Sequence, residues 1–252
     1  MELAIVTGAS RGLGAALTKR LLLQGMNVIG ISRKDNKELW ETAEQYQEHY
    51  HYYTCDLANI QDVEKVFKQV ADKAFDGTFE KVFLVNNAGV VSPIDTAGNY
   101  DVSALTNHIQ VNQLAPMTTT SLLIAEAEKS SIPLVVVNVT SGAANRSVYG
   151  WSAYSSTKAA INRFTQTVAL EQNAKETGNK AVLYDPGKMD TDMQGAIRSS
   201  SEEQFQDVEQ FKQLKQENQL RGAEIVADHL VSVLNLGVRL ESGKIYSIKD
   251  AE

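Results

Sequence analysis

Short apolar runs alternate with longer amphipathic stretches from one end of the chain to the other. Several runs are continuously apolar and rich in β-branched residues, which is typical of strands that helices cover on both faces. The predicted strands are Leu3–Val6, Met26–Ile31, Tyr50–Cys55, Val82–Val85, Leu134–Val139, Ala181–Tyr184 and Lys244–Ile248. A repeated strand–helix order favours an α/β fold with a parallel sheet and right-handed crossovers.

The segments between the strands have helical spacing. The first carries one apolar stripe, and Gly25 stands where a helix C-terminal cap belongs. That stripe consists of Leu13, Leu17, Leu21 and Leu22. The same spacing predicts helices at Asp62–Lys73 and Ile161–Glu171. Because no linker, low-complexity tract or repeat divides the chain, we predict a single domain over residues 1–252.

Residues 190–221 break this alternation with a serine run followed by an acidic, glutamine-rich stretch. One interpretation is a solvated surface helix, because charge runs usually face water. The other is a mobile lid over a ligand site, since such insertions often carry function. Their position after the sixth strand, at the carboxyl edge of the sheet, favours the lid. Their polar composition predicts little apolar area to hold this segment down without ligand.

Composition and charge exclude several classes of protein. Of 252 residues, 43% are hydrophobic and 22% charged, which excludes a disordered chain. Lys and Arg number 24 against 31 Asp and Glu, so the net charge is −7 and we expect no nucleic-acid partner. The sequence shows neither the start of a signal peptide nor an apolar run of the roughly 20 residues that span a bilayer. We therefore expect a cytoplasmic protein without a membrane partner.

The cysteine and the histidines do not predict a metal site. Cys55 is the single cysteine, and the apolar run that it ends predicts a small buried thiol. The four histidines, His49, His51, His108 and His229, lack the spacing of metal ligands. We expect them at surface or capping positions.

A glycine-rich turn follows the first predicted strand and opens the first helix. Gly8 permits a tight turn, Gly12 lets the backbone approach a pyrophosphate, and Gly14 lets helix and sheet pack closely. An ordinary glycine-rich turn is the alternative, but the strand before it and the helix after it favour a dinucleotide site at the helix N-terminus. The residues assigned to this site are Gly8, Ser10, Arg11, Gly12, Leu13 and Gly14.

The end of the second strand selects between the two nicotinamide dinucleotides. NAD-preferring folds usually carry an acid there, whereas this strand ends Ser32-Arg33-Lys34. Arg33, with Arg11 from the glycine-rich turn, can pair with the 2′-phosphate of NADPH. Two solvated surface arginines are the alternative, and their placement beside one predicted ribose favours NADPH.

A tyrosine and a lysine with i, i+4 spacing follow the fifth strand. Tyr154 and Lys158 therefore lie on one face of a predicted helix. A phenol has a pKa of about 10, and a nearby ammonium lowers that pKa by favouring the phenolate. For this pair alone, chance occurrence on a helix surface is the alternative.

Further motifs complete a pattern that resembles the short-chain dehydrogenase/reductase family. These motifs are Asn86-Asn87-Ala88-Gly89, Asn112, Ser141 and Pro186-Gly187. The resemblance implies a Rossmann fold with a doubly wound, seven-stranded parallel sheet, and a homodimer formed through the long fourth and fifth helices. It also implies a catalytic set of Ser141, Tyr154, Lys158 and Asn112. The cofactor contacts that it adds are Asp56, Leu57, Asn86, Asn87, Ala88, Gly89, Tyr154, Lys158, Pro186, Gly187, Met189 and Thr191.

Closer features are similar to the branch that holds the sepiapterin reductases and bacterial benzil reductases. They lie at Gly150–Ala153, Gly187–Gln194 and Arg198–Ser200. Candidates for an apolar substrate wall are Tyr149, Trp151, Met189 and Met193, with core packing as the alternative. In sepiapterin reductases a C-terminal aspartate anchors the pterin, and Asp250 falls at a similar spacing. A solvated tail residue is the alternative for Asp250.

Two features depart from the family pattern. Asp185 precedes Pro186 where a small neutral residue is expected, and a carboxylate there stabilises the oxidised, positively charged nicotinamide. The chain also lacks the glycine pair that commonly follows the last strand. Its C-terminus therefore need not assemble tetramers in the common way.

The resemblance implies an NADPH-dependent reductase of small carbonyl compounds, either aromatic or vicinal dicarbonyl ketones such as benzil or pterin side-chain ketones. On this hypothesis Tyr154 donates the proton and Ser141 polarises the carbonyl. Lys158 holds the cofactor ribose and lowers the pKa of Tyr154, while Asn112 kinks its helix and orders a water. The alternatives are a non-catalytic NADPH-binding regulator and an NADP-linked nucleotide-sugar epimerase or dehydratase, which usually has a longer chain.

Overall fold

Seven parallel strands form one sheet in this computed structural model, which describes residues 1–47 and 49–251. They are β1 (Glu2–Thr7), β2 (Asn27–Ser32), β3 (Tyr50–Thr54), β4 (Lys81–Asn86), β5 (Leu134–Val139), β6 (Lys180–Asp185) and β7 (Ile245–Ser247). Their order in the sheet is β3-β2-β1-β4-β5-β6-β7. The doubly wound Rossmann fold is confirmed, and each predicted strand agrees with the observed one to within one residue at each end.

Helices connect successive strands. They are α1 (Gly12–Leu23), α2 (Lys37–Tyr46), α3 (Ile60–Ala74), α4 (Val102–Ile109), α5 (Ala115–Ser130), α6 (Ser152–Ala174), α7 (Asp192–Arg198), α8 (Val208–Gln216) and α9 (Ala223–Leu234). A π-helical turn at Gln110–Leu114 joins α4 to α5. No helix in the described ranges is both long enough and apolar enough to cross a bilayer.

The sheet separates two apolar cores. Alternate side chains of a strand point to opposite faces, so Leu3 and Ile5 pack with α3, α5 and α6, while Ala4 and Val6 pack with α1 and α9. Helices therefore cover both faces, as the continuously apolar strands predict.

Strand order reverses between β1 and β4, which opens a crevice at their carboxyl ends. Polar contacts hold the crevice walls together: the N–H groups of Asn87 and Ala88 donate to Thr7 Oγ1 at 3.0 and 3.1 Å, and Asn87 Nδ2 donates to the Thr7 carbonyl at 3.0 Å. A crevice at such a reversal is the usual ligand site of an open α/β sheet.

A third apolar cluster lies outside the sheet and anchors the segment 190–221. Phe205, Val208 and Phe211 from this segment are at most 3% exposed and pack against Trp151. The prediction that little apolar area holds the segment down is wrong. These three apolar side chains lie on α8 and on the turn before it, and all three are buried.

Candidate active site

The glycine-rich turn has the shape that a pyrophosphate requires. A Cβ on Gly14 would stand 2.1 Å from the Gly8 carbonyl oxygen, so only glycine allows α1 to approach β1 this closely. At Gly12, where φ is +54°, a Cβ would enter open space and meet only Thr191 Cγ2 at 3.7 Å. Arg11, the N-cap residue before α1, makes no side-chain capping hydrogen bond, so backbone N–H groups of the first turn remain available for phosphate oxygens. The turn therefore fits a dinucleotide.

Arg33, the residue after β2, places a positive charge at the predicted ribose site. Arg33 is exposed and makes no ion pair or hydrogen bond with the described part of the chain. Ser32 is buried, and its hydroxyl donates to the Lys34 carbonyl at 2.7 Å. The nearby Asp35 carboxylate accepts a hydrogen bond from Trp40 Nε1 at 2.7 Å, so this acid is already engaged.

Arg11 has a partner that the sequence did not predict. Its Nη1 lies 2.8 Å from Asp192 Oδ2, at the first residue of α7. The glycine-rich turn is thereby joined to the segment 190–221.

Helix α6 carries the tyrosine and the lysine on one face, as their spacing predicts. Lys158 Nζ donates to the Val139 carbonyl at 2.8 Å and lies 5.8 Å from the centre of the Tyr154 ring. Ser141 follows β5, and its hydroxyl is near enough to the Tyr154 phenol to lower the pKa of that phenol. The end of β5 therefore brings Ser141, Tyr154 and Lys158 together.

Burial controls the acidity of this pair. It raises the pKa of Tyr154 to about 12, against a hydrogen bond from Ser141 that lowers it and an Asp185 charge that raises it. Burial also lowers the pKa of Lys158 to about 8, although Asp185 acts in the opposite direction. The prediction that Lys158 lowers the pKa of Tyr154 is not confirmed, because desolvation by burial is the largest cause of the pKa shift in both groups.

Asp185, the last residue of β6, adds a carboxylate at the carboxyl edge of the sheet, near Tyr154 and Lys158. Its Oδ1 accepts a hydrogen bond from the Gly187 N–H at 3.0 Å, and its Oδ2 lies 3.7 Å from the position that a Cβ on Gly142 would take. This negative charge raises the pKa values of both Tyr154 and Lys158. It therefore favours the protonated phenol, the form that can donate a proton.

Asn112 lies in the π-helical turn between α4 and α5. Its Oδ1 accepts from the Val90 N–H at 2.8 Å, and its Nδ2 donates to the Val90 carbonyl at 2.7 Å. A Cβ on Gly89 would stand 3.3 Å from Asn112 Oδ1, 3.8 Å from Lys158 Nζ and 4.0 Å from Met193 Cε. The structure thus brings Asn112, Lys158 and Met193 around Gly89.

His108 lies in the interior of the protein. It is 0% exposed, and its ring contacts Asn112, Ser92 and Thr157, whereas a surface or capping position was expected. The i, i+4 spacing of His108 and Asn112 was the available signal for this contact. In the described ranges, no three His, Cys, Asp or Glu side chains form a group that could hold a metal.

The Asn86 side chain, which the sequence assigned to the cofactor site, is hydrogen-bonded to buried groups of the protein. Its Nδ2 donates to Asn138 Oδ1 at 2.9 Å, and its Oδ1 accepts from the Thr119 hydroxyl at 2.9 Å. The amide therefore links β4 to β5 and α5 inside the protein, because a buried amide must find hydrogen-bond partners there.

Asp250 and Asp56 lie at the surface. Asp250 accepts a hydrogen bond from the Ser247 N–H at 3.0 Å and closes its own turn after β7. Asp56 is exposed at the end of β3, and the adjacent Leu57 is buried in the core.

The candidate substrate wall is aromatic. Trp151 is stacked on Phe205 with ring centres 4.8 Å apart, and it meets the rings of Tyr154 and Phe211 edge-on at 5.3 and 5.6 Å. Tyr149, in contrast, is 46% exposed. The cluster connects the phenol of Tyr154 directly to the segment 190–221.

Comparisons with known proteins agree with this geometry. The pattern of the family described as short chain dehydrogenase matches residues 2–202. Benzil reductase ((S)-benzoin forming) of Bacillus subtilis is 37% identical over 250 residues, covering 99% of each chain. The protein of the same name from Bacillus cereus is 36% identical over 234 residues, covering 93% of this chain and 94% of its own.

The fold likeness also spans the whole chain. The crystal structure of the KRED1-Pglu enzyme matches with a TM-score of 0.82 at 25% identity, covering 98% of this chain and 100% of that one. Family membership supports an oxidoreductase that uses a nicotinamide cofactor. The chain belongs to the short-chain dehydrogenase family, in its benzil reductase-like branch.

Proposed function

We propose that this protein is an NADPH-dependent reductase that converts small aromatic ketones, including vicinal dicarbonyls such as benzil, to the alcohol. The observation that carries the proposal is the buried Tyr154 side chain beside Ser141 and Lys158. The centre of its ring lies 5.8 Å from Lys158 Nζ, and the Ser141 hydroxyl lowers the pKa of its phenol. The relatives named benzil reductase support the choice of substrate.

Ser141 and Tyr154 have different roles at the carbonyl oxygen of the substrate. Ser141 holds the carbonyl oxygen by hydrogen bonding, and Tyr154 donates a proton to that oxygen as it gains negative charge. A pKa of about 12 keeps the Tyr154 phenol protonated throughout the neutral range. Lys158, with its remaining N–H donors, holds the ribose and offers a proton path to the phenol. When bound, the reduced nicotinamide supplies the hydride.

Preference for NADPH follows from charge at the end of β2. The 2′-phosphate carries about two negative charges at neutral pH. Arg33 is exposed and without an ion pair in the described part of the chain, and the nearest acid in sequence, Asp35, bonds to Trp40 instead. Arg11 adds a second guanidinium once it leaves Asp192.

The aromatic cluster supports a substrate that carries an aromatic ring, and the relatives named benzil reductase favour aryl ketones. Trp151 presents an indole next to the Tyr154 ring, and aromatic rings prefer edge-on or offset contact with other rings. Asp250 is exposed and accepts a hydrogen bond from the Ser247 N–H at Oδ2. We further propose that residues 1–252 form a single domain. Within this domain, the segment 190–221 closes over the active site.

A carbonyl panel tests the proposal. Benzil, isatin, sepiapterin and simple aldehydes are each incubated with NADPH or NADH, and loss of the reduced nicotinamide absorbance is followed. We expect the highest kcat/KM with benzil and NADPH, and benzoin as the product by chiral chromatography. Tight NADPH binding without turnover on any carbonyl would overturn the proposal in favour of a regulator, and conversion of a nucleotide sugar would favour an epimerase or dehydratase.

A further inference from the structure

His108 lies in the last turn of α4 and is fully buried against α6, the helix that carries Tyr154 and Lys158. Its Nδ1 lies 2.7 Å from the Ser92 carbonyl oxygen. Its Nε2 lies 3.0 Å from Asn112 Nδ2 and 3.1 Å from Thr157 Oγ1. The ring thus contacts the loop after β4, the π-helical turn and α6, three parts of the chain that meet at the site.

Asn112 fixes the protonation of this ring. Val90 donates to Asn112 Oδ1 and accepts from Asn112 Nδ2, so the amide cannot flip without losing both bonds. The second hydrogen on Asn112 Nδ2 then points at His108 Nε2, which must accept it with a lone pair. The ring proton therefore stands on Nδ1, where the Ser92 carbonyl accepts it.

An imidazolium does not fit in this position. A proton on Nε2 would face the Asn112 amide N–H, and the charge would have no carboxylate partner among the contacts of the ring. The titratable groups that face His108 are Lys158, whose charge lowers the pKa of His108, and Tyr154, whose ring lies 6.1 Å away edge-on. Burial lowers the pKa of His108 further.

The two Nε2 contacts lie near Lys158. Thr157 precedes the lysine on α6, and the single hydrogen of its hydroxyl is donated either to His108 Nε2 or to the Tyr154 carbonyl 3.0 Å away. Asn112 Oδ1 and Lys158 Nζ both lie within 3.8 Å of one point, the position of a Cβ on Gly89. Movement of the imidazole would therefore displace two neighbours of Lys158.

We propose that His108, held as the neutral Nδ1–H imidazole, is a positioning residue that fixes Asn112 and Thr157 around Lys158. Its effect on turnover rests on the proposed reductase function, whereas its tautomer does not. His108 itself contacts neither substrate nor the reacting atoms in this account.

The tautomer is tested without any turnover, in the full chain. Long-range ¹H–¹⁵N NMR spectra of the uniformly ¹⁵N-labelled protein are recorded from pH 5.5 to 8, with His108→Gln identifying the ring signals. We expect a neutral ring with the proton on Nδ1 across this range. An Nε2–H tautomer, or conversion to imidazolium within it, would overturn the proposal. Signals of the exposed His49 in the same spectra show whether the protein stays folded.

Two substitutions then separate positioning from packing. His108→Gln can keep an acceptor opposite Asn112 Nδ2, whereas His108→Asn keeps only the donor to Ser92. We expect His108→Asn to lower kcat for benzil by about tenfold to a hundredfold and to raise the KM for NADPH, because Lys158 also holds the ribose, whereas His108→Gln should keep most of the original kcat. Equal losses in the two variants, or losses that follow their melting temperatures, would overturn a positioning role. If the unaltered protein reduces no carbonyl, the proposed function fails while the NMR result still decides the tautomer.

Discussion

Arg11 Nη1 lies 2.8 Å from Asp192 Oδ2 and joins the glycine-rich turn to the segment 190–221. The two side chains are 70% and 74% exposed, and such pairs contribute roughly 0–1 kcal/mol to stability. The pair nevertheless occupies a guanidinium that we propose for the 2′-phosphate. Phosphate binding and the ion pair therefore compete for Arg11.

Removing the Asp192 carboxylate, which competes with the 2′-phosphate for Arg11, should improve NADPH binding. We expect Asp192→Asn to lower the Kd for NADPH by about two- to fivefold, the equivalent of about 0.5–1 kcal/mol, and to leave the Kd for NADH unchanged. Fluorescence titration of the reduced cofactors measures both. Asp190→Asn is the matched control, because Asp190 is two residues away and pairs with Lys215 instead. An equal gain in that control, or for NADH, would show that only net charge matters.

Arg33 should carry most of the cofactor preference. A charge-assisted hydrogen bond contributes about 1.5–3 kcal/mol, so Arg33→Ala is expected to raise the KM for NADPH by about tenfold or more. NADH lacks the phosphate, and its weak use should not change. The exposed Lys68 on α3 supplies the control, since Lys68→Ala removes the same charge elsewhere. Similar kcat/KM values for NADPH and NADH in the unaltered protein would refute the assignment.

The rate of reduction should depend on pH through Lys158. Burial places the pKa of its ammonium at about 8 and that of the Tyr154 phenol at about 12. Lys158 therefore loses its proton as the pH rises through about 8, while Tyr154 keeps its own. We expect kcat/KM for benzil to be level below pH 8 and to fall above it, measured from pH 6 to 10 at constant ionic strength.

The opposite pH profile would identify a different acid–base group. A rate that rises up to pH 10 would mean that deprotonated Tyr154 is the working form. NADPH titrations over the same pH range separate this effect from loss of cofactor binding.

Most of the fold was predictable because its strands are buried on both faces. Runs such as Val82–Val85 are apolar throughout, and the observed β4 extends this run by one residue at each end. The glycine-rich turn and the Tyr154–Lys158 pair were also predictable, because each is defined by residues that are close together in the sequence. The ordinary expectation for an isolated histidine failed at His108, because its partners Ser92 and Thr157 are distant in sequence.

Long-range contacts also explain the other differences. Asn86 belongs to the motif Asn86-Asn87-Ala88-Gly89, yet its amide is buried against Asn138 and Thr119, which only the folded sheet brings near. The charge of Asp185 was predictable, but its influence on Tyr154 depends on the meeting of β6 with α6. Periodicity cannot report contacts of this kind.

Phe211 should hold the segment 190–221 in place. It is 3% exposed and lies against Trp151 and Phe205, so Phe211→Ala removes a buried ring, a change that typically costs about 3–5 kcal/mol. We expect faster amide hydrogen exchange over residues 200–217 and no change in β1 or β4. Leu214→Ala, at a half-buried position on the same helix, should have a smaller effect.

Ligand should slow exchange in the same segment if it closes over the site. In the unaltered protein, NADPH with benzil is expected to reduce exchange over residues 200–217 beyond the reduction seen with NADPH alone. Identical protection with and without ligands would assign α8 to the permanent structure and exclude a lid.

The most direct test of the central claim is the kcat for benzil reduction by Tyr154→Phe with NADPH. Loss of the phenol removes the proton donor, so we expect kcat to fall by about 10²–10⁴-fold while the Kd for NADPH stays within about twofold. Tyr46→Phe, at an exposed tyrosine on α2, should leave kcat unchanged. A Tyr154→Phe protein that keeps a third or more of the original kcat would contradict the proposed mechanism.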